Sequence, residues 1–284
     1  MRNLSEKVGI INPSIPMDVP VEEPEKPAPC VYLVALLDVL GFGKRIQDVG
    51  LMKMLALYDQ LIEVDVKPNV KDEWLMGMAP ISERTYVPVL YFLPMRHAYF
   101  SDSVLIWVPY HPNFVIHFLH RCSNVFCQAL KSGLPLQGAI SVGEMILHQK
   151  TNTFLGKELV EADRLEHAQE WLGIAAGISV RSETLRIPFS PECVMVFDAP
   201  VKTSEGKLDL RSGLVLDWPR VWRESYGESA AKAVKGLRAV GFEKYYDNAL
   251  SFVKHSDNNH DWFLKGPISE PETGDAEPLV RIQL

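Results

Sequence analysis

Asp38 closes an apolar run made of Val31, Leu33, Val34, Leu36 and Leu37, and the stretch Leu40-Gly41-Phe42-Gly43 follows it directly. Such a run belongs in a buried sheet. An ionised carboxyl there is costly unless a metal ion, a basic partner or a polar turn at the strand's mouth receives it. A second acid, Asp102, stands between Ser101 and Ser103 in a segment patterned as strand, turn, strand. Two converging carboxylates suit a pair of divalent cations with a phosphorylated substrate. Mg²⁺ and Mn²⁺ take hard oxygen ligands, usually one or two carboxylates completed by substrate phosphates. Two such ions activate an attacking oxygen and neutralise a leaving one. Free N–H groups at a helix start, as expected after Asp38, are where phosphates bind well. The stretch is not a P-loop, because G-x-x-x-x-G-K-[ST] is absent. Taken singly, Asp102 also reads as an ordinary turn residue and Asp38 as a helix N-cap. Only their convergence selects the metal reading.

The elements around these residues predict that convergence. Residues 30–42 form a strand. Residues 44–64 carry Ile46, Leu51, Leu55, Leu57, Leu61 and Ile62 near helical period, weakened in the first half by Gly50. Residues 96–110 give two short strands turning at Ser101-Asp102-Ser103, 112–133 a helix stopped by Gly133, and 134–147 another strand. The order β-α-β-β-α-β is the split βαβ, or ferredoxin-like, unit of an α+β domain. With strands in spatial order 4-1-3-2, the end of the first lies beside the hairpin joining the second and third. Asp38 and Asp102 then share one mouth of the sheet.

The chain of 284 residues is 47% hydrophobic with net charge −7. That supports an ordinary packed core and argues against a general nucleic-acid binder, which carries a basic excess. No apolar run reaches the ~18 residues of a membrane span, and the N-terminus lacks signal-peptide order. The four cysteines (Cys30, Cys122, Cys127, Cys193) show no zinc spacing and are too few for a disulfide framework, so a cytoplasmic setting is expected. Organisation is expected as a proline-rich, extended arm (1–29), a main domain (30–200), a strand and helical extension packed on it (201–265), and a tail (266–284). An edge hairpin is expected within 190–215. His117 and His120, three apart on a helix, lack a third ligand. Cys122 and Cys127 read as core thiols, and Trp218, Trp222 and Tyr226 as anchors of the extension.

"ALLDVLGF", "YFSDSVLIW", "GAISVGEM" and "FLGKELVEADRLE" stand in an order and spacing that resembles the class III nucleotidyl cyclases, most nearly the bacterial pyrimidine cyclases of the Pycsar antiphage system. The resemblance covers roughly residues 30 to 185. It implies metal ligation by the carboxylates of Asp38 and Asp102 and the backbone carbonyl of Val39, for two Mn²⁺ or Mg²⁺ ions per site. It also implies a triphosphate held by Leu40, Gly41, Phe42 and Gly43. Gly156 and Arg164 match a later motif on a helix that faces the partner subunit, so a homodimer is implied, with Arg164 stabilising charge on the transferring phosphate. The family's asparagine position holds Val160, a departure. The plain alternative for Arg164 is a surface ion pair with Glu161.

Purine cyclases carry lysine and aspartate, or glutamate and cysteine, where this chain has Ala98 and Thr153. Groups that would select adenine or guanine are therefore missing. Tyr99 and Arg96 are candidates for the base pocket, with Ser101 and Thr153 nearby, though Tyr99 equally fits the core on the sheet's other side. The implied activity is conversion of UTP to 3′,5′-cyclic UMP and diphosphate, a second messenger of antiphage defence acting on a separate effector. Cytidylate cyclase and a non-catalytic nucleotide-sensing module are the alternatives. No nucleic-acid or membrane partner is expected.

Overall fold

The computed structural model describes residues 25–65, 74–82, 85–92, 95–180, 193–202, 211–239 and 241–259. Most of the arm and all of the tail lie outside them. Strand β1 (Cys30–Val39) is followed by helices α1 (Phe42–Val49) and α2 (Leu51–Asp65), then by a hairpin of β2 (Trp74–Ser82) and β3 (Thr85–Phe92). Strands β4 (Arg96–Phe100) and β5 (Ser103–Pro109), helix α3 (Pro112–Lys131) and strand β6 (Leu136–His148) complete the split βαβ unit. Beyond it come β7 (Thr153–Leu155), α4 (Lys157–Ala168), β8 (Ile174–Gly177), β9 (Val194–Val196), β10 (Arg211–Leu216), and helices α5 (Trp218–Tyr226), α6 (Ala231–Gly236) and α7 (Glu243–Asn258).

The main sheet runs β4-β5-β1-β6-β8-β10-β9. Its first four members stand in the expected ferredoxin-like order, and the fold is α+β. β1 is antiparallel to both β5 and β6, and among the described residues only the β6–β8 pair is parallel. The six residues Tyr32 to Leu37 are all buried, so both faces of β1 are covered. Alternation along the paired strands puts Asp38, Ser103 and Gln137 on one face and Leu37, Val104 and Tyr99 on the other. α4 covers the first face, where the Ser141 hydroxyl donates to the Glu158 carbonyl at 2.7 Å. α2 lies on the second, its Tyr58 ring stacked on Tyr99 at 5.5 Å between centroids.

Three features differ from the sequence expectation. The helical segment 44–64 is two helices, broken at Gly50, whose φ of +83° is outside the helical range and open to glycine. The β2–β3 hairpin forms its own two-stranded sheet. Pro80 and Pro88 lie within it, and proline interrupts the pattern by which a strand is recognised yet is tolerated where a ladder has free edges. The expected edge hairpin is β9 with β10, but β10 is interior, flanked by β8 and β9. The expected boundary at 200/201 therefore falls between two strands that pair with each other.

Three helices follow β10 in the described extension, two of them between Val215 and Leu237. Trp218 and Trp222 are buried, and Lys131 lies 4.8 Å above the Tyr226 ring. Asp217 caps α5 and accepts the Ser256 hydroxyl at 2.5 Å, tying α5 to α7.

Candidate active site

Hydrogen bonding across the sheet dictates how the two acids meet. Asp38 is directly opposite Ser103, the first residue of β5, and the Ser103 hydroxyl donates to Asp38 Oδ1 at 3.1 Å. The next N–H, that of Val39, donates to the Asp102 carbonyl at 3.1 Å. The Tyr58 hydroxyl donates to the same carbonyl at 3.0 Å. Between β4 and β5 the turn has only two residues, because Phe100 pairs with Ser103. Ser101 takes it with φ of +56°, a left-handed conformation that costs a non-glycine residue about 1 kcal/mol. Asp102 is thus held by its backbone from two sides, beside the end of β1.

The electrostatics record this proximity. Burial, then the Asp102 charge, pushes the Asp38 carboxyl above its ordinary range, with the Ser103 hydroxyl working against the rise. Burial and the charges of Asp38 and Asp102 push the Tyr58 phenol up as well, so it stays a donor. Two like charges held together in a half-buried place fit a divalent cation. Among the described residues no group of three or more His, Cys, Asp or Glu side chains is arranged to hold a metal. A cation here would therefore take two carboxylates and complete its shell with peptide oxygen, water or phosphate, the usual habit of Mg²⁺.

The turn after Asp38 begins α1. Leu40 N–H donates to the Pro135 carbonyl at 2.9 Å. Gly41 is the N-cap at φ +72°, with no side chain satisfying the first-turn amides. Phe42 stacks over Tyr58 at 6.1 Å, and Gly43 is exposed with open space around it. Free amides at such a start offer donors to an anion.

The remaining sequence candidates do not gather here. Tyr99 is on the opposite face from the Asp38 carboxylate, half-buried against Tyr58, which matches the core alternative. Thr153 is in the β6–β7 hairpin, its hydroxyl 2.8 Å from that of Thr151. Arg164 is exposed on α4 and, among the described residues, makes no ion pair or hydrogen bond. Glu161, its alternative partner, turns instead to the N–H groups of Ile178 and Ser179. Val160 shares the exposed face of α4 with Arg164 at 48% exposure, and Leu155 just before the helix is 60% exposed. His117 is partly buried and His120 exposed on α3, and desolvation lowers both their pKa values.

Sequence reasoning missed a second cluster beside Asp38. Gln137 is opposite Asp38 in the β1–β6 register. It donates its amide to Glu166, a buried carboxyl on α4, and His167 Nδ1 is 2.8 Å from Glu166 Oε2. Lys202 closes the cluster by donating to the His167 carbonyl. Burial and then the Asp38 charge push Glu166 up to about 7. Burial opposes a charged His167 ring, but Glu166 and Asp163 outweigh it and raise that pKa. The available signal was an acid within the apolar stripe of α4, beside Ala162, Leu165 and Ala168.

This cluster dictates a pH dependence. A carboxyl raised in the folded state holds a proton that the unfolded chain has already released. Stability therefore falls as pH rises from the ordinary value of 4.5 through about 7, and levels off beyond. His167 acts in the same direction, its contribution being lost as pH rises through its own raised value. Glu166→Gln keeps the shape and the Gln137 contact. It should flatten the curve and stabilise the metal-free protein at neutral pH, by on the order of 3 kcal/mol at most. Denaturant midpoints from pH 4.5 to 8 test this, and an unchanged slope contradicts it.

Similar solved structures include a bacterial light-regulated adenylyl cyclase, with 11% identity and TM-score 0.37 over 60% of this chain and 48% of that one. A guanylyl cyclase crystal structure shows 8% identity and TM-score 0.38 over 65% of this chain and 98% of that one. The chain thus matches about half the length of the first. No protein-family model and no curated protein matches it. Among the described residues, no helix is long and apolar enough to cross a membrane.

Proposed function

We propose that the chain is a cytoplasmic, homodimeric pyrimidine nucleotidyl cyclase that converts UTP to 3′,5′-cyclic UMP and diphosphate. The observation that carries the reading is the β1–β5 register, with Asp38 beside the Asp102 turn and immediately before an uncapped helix start. Asp38, Asp102 and the Val39 carbonyl would hold two Mn²⁺ or Mg²⁺ ions. The ions supply Lewis-acid activation of the 3′ hydroxyl and neutralise charge on the triphosphate.

The chain's own groups do the positioning. Ser103 orients the Asp38 carboxylate, and Tyr58 and the Val39 amide fix Asp102. Amides of Gly41 to Gly43 donate to the triphosphate, next to Leu40, whose own N–H is held by the Pro135 carbonyl. In the reaction the 3′ oxygen bonds to the α-phosphorus, the hydroxyl proton is released, and the bond to the diphosphate breaks. Arg164 from the partner subunit stabilises the charge that develops on the phosphoryl oxygens, where a planar, permanently charged donor is worth most. The product is a messenger for a separate effector of antiphage defence.

Base choice follows from Ala98 and Thr153, which offer no hydrogen-bonding set for a purine edge, and unmatched polar edges are rejected strongly. With all four triphosphates competing and products separated by chromatography, cyclic UMP should lead and cyclic CMP follow. Each purine product should lie about tenfold or more below. Dominant cyclic AMP or cyclic GMP contradicts the pyrimidine reading, and dominant cyclic CMP contradicts only the choice of uracil. Val160 in the asparagine's position favours a second reading, a module that binds nucleotide without turnover. In the same assay that module binds triphosphate and forms no cyclic product.

A further inference from the structure

The glycine turn is braced by the far end of the chain. α1 has no buried residue, so its placement depends on a few contacts. One is Phe242, immediately before α7, whose ring presses on Gly41. A Cβ built on Gly41 would come within 3.2 Å of Phe242 Cε2 and 3.6 Å of Cζ. Phe242 is itself fixed. Its N–H donates to Ala239, its carbonyl receives Tyr245 and Tyr246, and the Gly241 N–H is taken by both Glu243 carboxylate oxygens at 3.1 Å.

The second contact is Arg45. Its Nε donates to the Leu40 carbonyl at 3.3 Å and its Nη1 to the Gly133 carbonyl at 2.8 Å. One guanidinium thus joins the turn to the end of α3. A loose α1 would leave the Gly41–Gly43 amides free to move. A rigidly held set of donors binds and orients phosphate without an ordering cost, and small misplacements lower rates steeply.

We propose that Phe242 is a positioning residue for the triphosphate turn, so that the C-terminal extension completes the nucleotide site. This rests on the cyclase reading, and the test is built to separate the two. Phe242→Ala removes the ring; Phe242→Leu keeps an apolar contact and serves if the alanine variant does not fold. Amide hydrogen exchange of peptides covering residues 41–49 is measured together with the affinity for inorganic triphosphate in the full chain, neither of which needs turnover. In folded variants the exchange should quicken and the affinity fall about tenfold for Phe242→Ala, less for Phe242→Leu. Where the wild type cyclises, KM for the nucleotide should rise more than kcat falls. Unchanged exchange and affinity in folded variants overturn the proposal even if cyclic product is made. A wild type that does not bind inorganic triphosphate overturns it too. Loosened exchange and weakened triphosphate binding without any cyclic product uphold it and overturn the cyclase reading alone.

Discussion

Asp38→Asn and Asp102→Asn should each abolish cyclisation, by about a thousandfold or more, while leaving the fold intact. Losing one ligand removes charge stabilisation worth several kcal/mol, and each 1.36 kcal/mol is about tenfold in rate. The fold survives because neither carboxylate holds the sheet together. Asp102 contributes its backbone carbonyl to Val39 and Tyr58, which an asparagine retains. Asparagine at 38 still accepts the Ser103 hydroxyl. Asp38 in fact opposes stability in the metal-free protein, since burial and Asp102 raise its pKa and the penalty grows as pH climbs above the usual carboxylate range. Asp38→Asn should therefore leave the thermal midpoint unchanged or raise it at neutral pH, and remove the added stability expected from Mn²⁺ in the wild type. Steady-state rates at saturating Mn²⁺, alongside thermal unfolding with and without the ion, test both halves. Near-wild-type turnover in either variant contradicts the two-metal assignment.

The second large effect is complementation between defective chains. Arg164 is exposed without an ion pair or hydrogen bond among the described residues, on a helix face that also exposes Val160. Such a face suits a self-complementary contact across a two-fold axis. If each site draws its metal ligands from one subunit and Arg164 from the other, an Asp38→Asn chain and an Arg164→Ala chain are both inactive alone. Mixed and exchanged, they form heterodimers in which one site carries both defects and the other neither. Random pairing of equal amounts should restore about a quarter of wild-type activity. No recovery after verified subunit exchange, or a fully active monomer, contradicts the arrangement.

The central part of this site was legible because it depends on pattern. A run buried on both faces marks β1, and the order of helices and strands identifies the split βαβ unit. From that order the meeting of Asp38 with the Asp102 turn follows before any contact is seen. What was not legible depends on register and docking. The face of Tyr99 is decided by the two-residue turn that closes Phe100 onto Ser103; a turn one residue longer would have reversed it. Gln137 reaches Asp38's side only through the β1–β6 pairing, and Glu166 only because α4 lies against that face. Phe242 on Gly41 is a contact between distant parts of the chain, invisible to any local period. Pro80 and Pro88 hid the β2–β3 hairpin for a different reason, since their residue types argue against a strand.

The most direct test of the central claim is product analysis of the full chain with UTP and Mn²⁺, read by mass spectrometry and phosphorus NMR. The two-carboxylate site predicts 3′,5′-cyclic UMP and diphosphate in equal amounts, dependent on the ion and absent with Asp38→Asn. Formation of linear UMP or UDP, no product at all, or cyclic product that persists in the Asp38→Asn variant contradicts it.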